Sequence, residues 1–179
     1  MKTRALWLLG AFVAAAALWA ASRTKRGQVV LAEVVDTIAS LGDWTRKIPE
    51  ALRGVFASAA AQYGMPAGLL EAQAYRESRF RPDIIDGRTR SSAGAVGIMQ
   101  IIPRWHPEVG EAGALDPQRA IPYAAKYMRQ LRDQFGTWTL ALAAYNWGPG
   151  NLSKARDPAK WPSETRTYVD EITRNAGLA

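Results

Sequence analysis

Pro66-Ala67-Gly68-Leu69-Leu70-Glu71-Ala72-Gln73-Ala74-Tyr75-Arg76-Glu77-Ser78-Arg79-Phe80 predicts a helix that carries an acid on its inward side. Pro66 suits a first helical position, where its missing N–H costs nothing, and Pro82 disfavours helical geometry at Arg81. The helix is therefore expected to run from Pro66 to about Phe80. Leu70, Gln73, Ala74 and Phe80 lie three, four or seven residues from Glu77, which puts its carboxyl on their face near the helix end. A carboxylic acid against apolar neighbours has its charged form disfavoured, so it can stay protonated and donate at neutral pH. An amphipathic helix also often carries a Glu at its boundary, so position alone leaves a catalytic and a structural Glu77 both open.

Outward from this segment, helix signals dominate and no stretch after about Leu52 alternates apolar with polar residues for long, so the fold class is mainly α. Asp83–Ser92 reads as a surface loop or short hairpin, and Gly94–Ile102 as a short helix ended by Pro103. Asp116-Pro117 is an N-cap followed by a first-turn proline, and Ile121, Ala125, Met128, Leu131 and Phe135 continue one apolar face. Pro122 should bend or restart that helix. Thr137 can cap an alanine-rich helix through Asn146, which Gly148-Pro149-Gly150 ends. Ser163 can cap a last helix on which Glu164, Tyr168 and Ile172 share a face.

The chain has 179 residues, a formal net charge of +7 and no cysteine, which excludes a disulfide framework, Cys-based zinc sites and a thiol nucleophile. His106 is the single histidine, so a His-based metal cluster is excluded and a Ser-His-Asp triad is disfavoured; between Trp105 and Pro107 it reads as a surface or packing residue. The high pI raises nucleic acid as a partner, but Lys2, Arg4, Arg23, Lys25 and Arg26 all precede the first acid, Glu33. They leave 18 basic against 16 acidic residues in the body, so no nucleic-acid partner is expected. The five charges bracket Ala5–Ser22, apolar but for Gly10 and Ser22, long enough for a short transmembrane helix. Ala20, Ala21 and Ser22 would also suit signal cleavage, whereas Trp7, Trp19 and the Arg23-Thr24-Lys25-Arg26 cluster favour a retained anchor. Val30, Val34, Ile38 and Leu41 mark a helical stalk. The expected organisation is an anchor or signal over 1–27, a stalk or linker over 28–50 and a catalytic domain over 51–179.

Four blocks then fall in order: Glu77-Ser78 with Pro82; Ser91-Ser92-Ala93-Gly94-Ala95-Val96-Gly97-Ile98-Met99-Gln100; Ala144-Tyr145-Asn146-Trp147-Gly148-Pro149-Gly150; and Pro162-Ser163-Glu164-Thr165-Arg166-Thr167-Tyr168-Val169. Together they resemble the soluble lytic transglycosylase family, a branch of the lysozyme superfamily related to goose-type lysozyme, over about Leu52 to Asn175. The resemblance implies a lysozyme-like globular domain that cleaves peptidoglycan between N-acetylmuramic acid and N-acetylglucosamine, without metal or cofactor. Glu77 matches the catalytic acid. Ser91 matches a serine that hydrogen-bonds the sugar near the cleavage point, although the loop before it is longer than usual and Ser92 is the alternative. Met99 and Gln100 match one groove wall and Tyr145 and Asn146 the other, with the Tyr hydroxyl near the catalytic carboxyl. Glu164 and Tyr168 match a block that closes the site.

Such enzymes need no second carboxylate, because the muramic acid C6 hydroxyl attacks its own anomeric carbon and a 1,6-anhydro ring forms. Asp83 and Asp86 in the longer loop leave a water-using hydrolase open, and a catalytically silent wall-binding component is a further alternative. Arg76, Arg79, Arg81, Arg88 and Arg90 are expected to meet either peptide carboxylates of the wall or solvent. With the apolar N-terminus, the expected setting is a domain tethered to the membrane and facing peptidoglycan from the periplasmic side, serving an envelope-spanning secretion apparatus, or a phage particle.

Overall fold

The computed structural model describes residues 43–178. The anchor over 5–22 and the stalk positions up to Leu41 lie outside the described residues. A 3-10 turn, Asp43–Lys47, leads into α1 (Glu50–Gln62), α2 (Leu69–Ser78), α3 (Pro82–Ile85), α4 (Gly110–Leu115), α5 (Pro117–Phe135), α6 (Trp138–Trp147), α7 (Pro149–Lys154) and α8 (Ser163–Asn175). Among the described residues there is no strand, only an isolated antiparallel bridge between Val96 and Ile101. None of the described helices is long and apolar enough to cross a membrane.

Helix α5 forms as its sequence demands. The Asp116 carboxylate accepts from Gln118 N at 2.9 Å, Pro117 opens the first turn, and Gly136 ends the helix at φ +96°. Its predicted face, Ile121, Ala125, Met128, Leu131 and Phe135, is buried. Pro122 does not restart it; one helix passes through, because proline removes a single hydrogen bond and the packed face holds the rest. Thr137 caps α6 by accepting from Leu140 N at 3.1 Å. Ala120 and Ala124 of α5 and Ala141, Ala143 and Ala144 of α6 are fully buried, and side chains this small let two packed helices approach closely. Helix α8 packs on both α6 and α2.

Several expected boundaries move, each because of a backbone conformation. Gly68 takes φ +79°, so α2 cannot extend back to Pro66 and starts at Leu69. Helix α8 begins after Pro162, and Ser163 sits inside its first turn without capping it. Asp83–Ser92 holds the short α3 and a turn, not a hairpin. Gly94–Ile102 is not helical, since Gly94, Gly97 and Gln100 have φ of +82°, +77° and +48°. The segment is a tight set of turns closed by Val96 N to Ile101 O at 3.0 Å and the reciprocal bond at 3.1 Å. Trp44 is buried and stacks on Tyr75 with centroids 5.5 Å apart, so the packed body begins ahead of the boundary expected near residue 50.

Gly97 is held by close approach as well as by φ. A Cβ there would lie 2.0 Å from the Ala114 carbonyl oxygen, whereas one at Gly94 would meet nothing within 4 Å. Gly97→Ala is expected to lower the unfolding free energy by about 3 kcal/mol through left-handed strain plus overpacking, and Gly94→Ala by about 1 kcal/mol through strain alone. Urea midpoints of the two variants check this; equal costs would remove the steric argument.

Candidate active site

The last turn of α2 carries Glu77, whose carboxyl is pushed up from 4.5 to about 7. Loss of water around the charged form is the main cause; the Tyr168 hydrogen bond and the Arg76 charge pull it back, and the Glu164 charge adds to the rise. The carboxyl also stands near a helix C-terminus, where backbone dipoles disfavour negative charge. Tyr168, buried on α8, donates its hydroxyl to Glu77 Oε1 at 2.6 Å and accepts from Gln73 Nε2 at 3.3 Å. Gln73 is fully buried one turn before Glu77. The α2–α8 contact thereby contains a polar chain, Gln73 to Tyr168 to Glu77.

Helix α2 ends abruptly just after the acid. Arg79 and Phe80 both take left-handed conformations, φ +50° and +53°, uncommon for residues with a Cβ. Ser78 Oγ accepts from Phe80 N at 3.2 Å, Arg79 N reaches Tyr75 O at 2.8 Å, and the Phe80 ring is buried edge-on to Phe56.

The five arginines around Glu77 are matched by the protein's own carboxylates. Glu171 of α8 takes Arg76 at 3.0 Å and Arg79 at 2.5 Å. Arg81 pairs with Asp83 at 2.7 Å, Arg88 with Asp86 at 2.8 Å, and Arg90 with Glu111 at 2.6 Å. These pairs are partners the sequence did not assign, and Arg79, Arg81, Arg88 and Arg90 remain 41–69% exposed beside them. Asp83 also accepts from Thr89 Oγ1 at 2.8 Å, and these partners hold its carboxyl below the ordinary range.

Tyr145 of α6 donates its hydroxyl to the Met99 carbonyl at 2.9 Å, not to Glu77. The charge of Glu77 nonetheless adds to the burial that raises the Tyr145 hydroxyl, so the two are neighbours. The Met99 side chain is fully buried, which leaves its carbonyl as the part turned to the site. Asn146 Oδ1 accepts from Thr165 Oγ1 of α8 at 2.8 Å, which fixes the orientation of the amide. Gln100 Nε2 donates to Gly97 O at 3.0 Å. Gln100, Tyr145 and Asn146 line a cleft of 780 Å³ with Trp105, His106 and Trp147. Exposed Ser91 accepts from Ala95 N at 2.9 Å and so shapes its own turn; Ser92 is also exposed. Glu164 is exposed in the first turn of α8.

The structure thus joins Glu77, Tyr168 and Tyr145 at one centre and Gln100, Tyr145 and Asn146 at one cleft. Thr165 and Glu171 were not singled out by sequence as site residues, and Gln73 was named only for its place on the face of Glu77. That place, four residues before Glu77, could have marked Gln73 as a site residue; Thr165 and Glu171 each lie three residues from Tyr168, but nothing in the sequence assigns their partners. No group of three acidic or histidine side chains that could hold a metal ion occurs among the described residues.

The Transglycosylase SLT domain family matches residues 54–167, and the chain belongs to that family. It is similar to the transglycosylase of Enterobacteria phage PRD1, 31% identical over 121 residues that cover 68% of this chain and 41% of that protein. It is also similar to membrane-bound lytic murein transglycosylase F 2 of Alkalilimnicola ehrlichii, 35% identical over 112 residues, 59% of this chain and 24% of the relative. Among solved structures, an inactive Glu-to-Gln mutant of lytic transglycosylase Slt from Pseudomonas aeruginosa superposes with a TM-score of 0.60 at 28% identity, covering 72% of this chain and 24% of that one. The fold is the lysozyme-like SLT fold, and the chain spans well under half the length of these relatives.

Glu77 binds its proton more tightly folded, at about 7, than its ordinary value of 4.5. Its contribution to stability is therefore complete below the lower value and is lost as pH rises through the upper one. Thermal unfolding from pH 4 to 9 should show a decline on the order of 3 kcal/mol from this group, absent in Glu77→Gln. A variant that tracks wild type across the range would contradict the burial argument.

Proposed function

We propose that the chain is a peptidoglycan lytic transglycosylase in which Glu77 serves as acid and then as base. The observation that carries this reading is a half-buried carboxyl, pushed up to about 7 by loss of water and gripped by a tyrosine, in an SLT-family fold. Protonated Glu77 gives its proton to the glycosidic oxygen between N-acetylmuramic acid and N-acetylglucosamine, and the C1–O bond breaks. The muramic acid C6 hydroxyl then bonds to C1 while its proton passes to the Glu77 carboxylate, so the acid is regenerated, a 1,6-anhydro end forms and no water is consumed. Tyr168 holds the carboxylate between the two transfers. This differs from hydrolysis by a carboxylate pair, and the engagement of Asp83 and Asp86 by Arg81, Thr89 and Arg88 supports the single-carboxylate route.

Gln100, Tyr145 and Asn146 bind the glycan from the cleft. The Met99 carbonyl orients Tyr145, Ser91 shapes the loop beside the sugar, and Glu164 helps keep Glu77 protonated. The apolar run over residues 5–22, together with relatives named as membrane-bound and as a phage protein, supports a tethered enzyme that opens the wall locally for an envelope-spanning assembly or a phage particle.

Digestion of purified sacculi followed by mass analysis of the muropeptides tests the reaction, with 1,6-anhydro ends expected. Reducing muramic acid ends would make the chain a hydrolase, and binding without cleavage a structural wall component. Glu77→Gln should cost about a hundred- to ten-thousandfold in rate. Activity should fall as pH rises past about 7. Tyr168→Phe removes an interaction that lowers the Glu77 value, so this variant should move the alkaline limb to higher pH; a shift to lower pH would show that Tyr168 does not act on Glu77 in this way.

A further inference from the structure

His106 is the single histidine of the chain, and the reaction above makes no use of it. It is half-buried, lines the same cleft as Tyr145 and Asn146, and packs edge-on against Tyr127 of α5 at 4.9 Å between centroids. Its Nδ1 lies 2.8 Å from the Tyr123 hydroxyl. Tyr123 in turn donates that hydroxyl to the Glu108 carboxylate in a short hydrogen bond. One hydroxyl has one proton, and an ionised carboxylate can only accept it. The Tyr123 oxygen therefore meets Nδ1 as an acceptor, so the neutral imidazole carries its proton on Nδ1 and has its lone pair on Nε2. With the Nδ1 edge turned to Tyr123, the Nε2 edge is the one available to the cleft.

We infer that His106 is a substrate-binding residue, locked by Tyr123 and Glu108 as a hydrogen-bond acceptor that takes a hydroxyl or acetamido N–H of an amino sugar in the cleft. This rests on the reading of the cleft as the glycan site. Exposed Trp105 beside it offers an aromatic face to a sugar ring, so acceptor and platform form one subsite. The charged and titratable groups around the ring are Arg104 and Glu108 on its own loop and Tyr123, Lys126 and Tyr127 on α5, with Tyr145 of α6 beyond Tyr127. Burial lowers the imidazole below its ordinary value of 6.5 and the Glu108 charge opposes this. A sugar donor on Nε2 stabilises the neutral ring further. Affinity is then full at alkaline pH and lost as acidification protonates His106.

A lone histidine makes the test unambiguous. The full chain carrying Glu77→Gln, labelled with ¹⁵N, is titrated with tetra-N-acetylchitotetraose while the imidazole and tryptophan indole resonances are followed. The Nδ1–H tautomer and a shift of Nε2 on sugar binding are expected. An Nε2–H tautomer, or a bound sugar that moves Trp105 or Trp147 and leaves Nε2 unchanged, overturns the inference and leaves the glycan reading standing. No perturbation of Trp105, Trp147 or His106 removes the glycan reading and this inference together. His106→Phe in the otherwise native chain should raise KM about fivefold at pH 8 with kcat within about twofold, the scale of one hydrogen bond, and abolish the acid-side rise in KM; His106→Gln should restore part of the affinity. A loss confined to kcat would overturn the assignment.

Discussion

A carboxyl group withdrawn from water at the end of a helix is the constraint on which the rest of this molecule depends. Ionised, Glu77 is destabilising where it stands: it lacks solvent, faces the negative end of α2 and feels the charge of Glu164. Tyr168 and Arg76 bring it back only to the middle of the neutral range. Had Arg76 been left without a carboxylate of its own, its attraction would pull the acid further down. Glu171 holds both Arg76 and Arg79, and so tempers that attraction. The packing of α8 on α2 is thus an electrostatic setting as much as a mechanical one, since the same helix supplies the hydroxyl that grips Glu77 and the carboxylate that restrains its cationic neighbour.

The backbone around the site is held in conformations that side-chain-bearing residues rarely adopt. Arg79, Phe80 and Gln100 have positive φ, and they are the non-glycine residues that do so among the described residues. Two lie two and three residues after Glu77, and the third lines the cleft. Strain of this kind persists only where surroundings over-determine it. Here the surroundings are identifiable: the Phe80 ring buried against Phe56, the Ser78 hydroxyl on Phe80 N, and the Gln100 amide folded onto Gly97 O. Local strain keeps the helix from running on past its acid.

What the sequence made legible follows from how local each signal is. The α5 face, its Asp116 cap and the Thr137 cap of α6 depend on residues within a few positions of one another. The inward placement of Glu77 is equally local. The helix expected over Gly94–Ile102 failed because the small and apolar residues there serve a turn packed on the Ala114 carbonyl, and periodicity does not distinguish a buried turn from a buried helix. The start at Pro66 failed because Gly68 uses the one conformation its lack of a Cβ makes cheap. The Tyr168–Glu77 bond spans 91 positions, and only the resemblance put both residues in one site. The arginine pairs were hidden differently: a basic cluster and a scatter of acids are visible in the chain, but which acid neutralises which arginine is decided by the fold.

Those pairs also bear on the encounter with a glycan polymer that the proposed function requires. Each arginine around Glu77 has a carboxylate within 3.0 Å, so the face is a set of close dipoles whose fields cancel within a few ångströms. Such a surface does little to draw an anionic mesh from a distance, and little to repel one. Under the proposed function, ionic strength and wall charge would therefore have small leverage over that encounter.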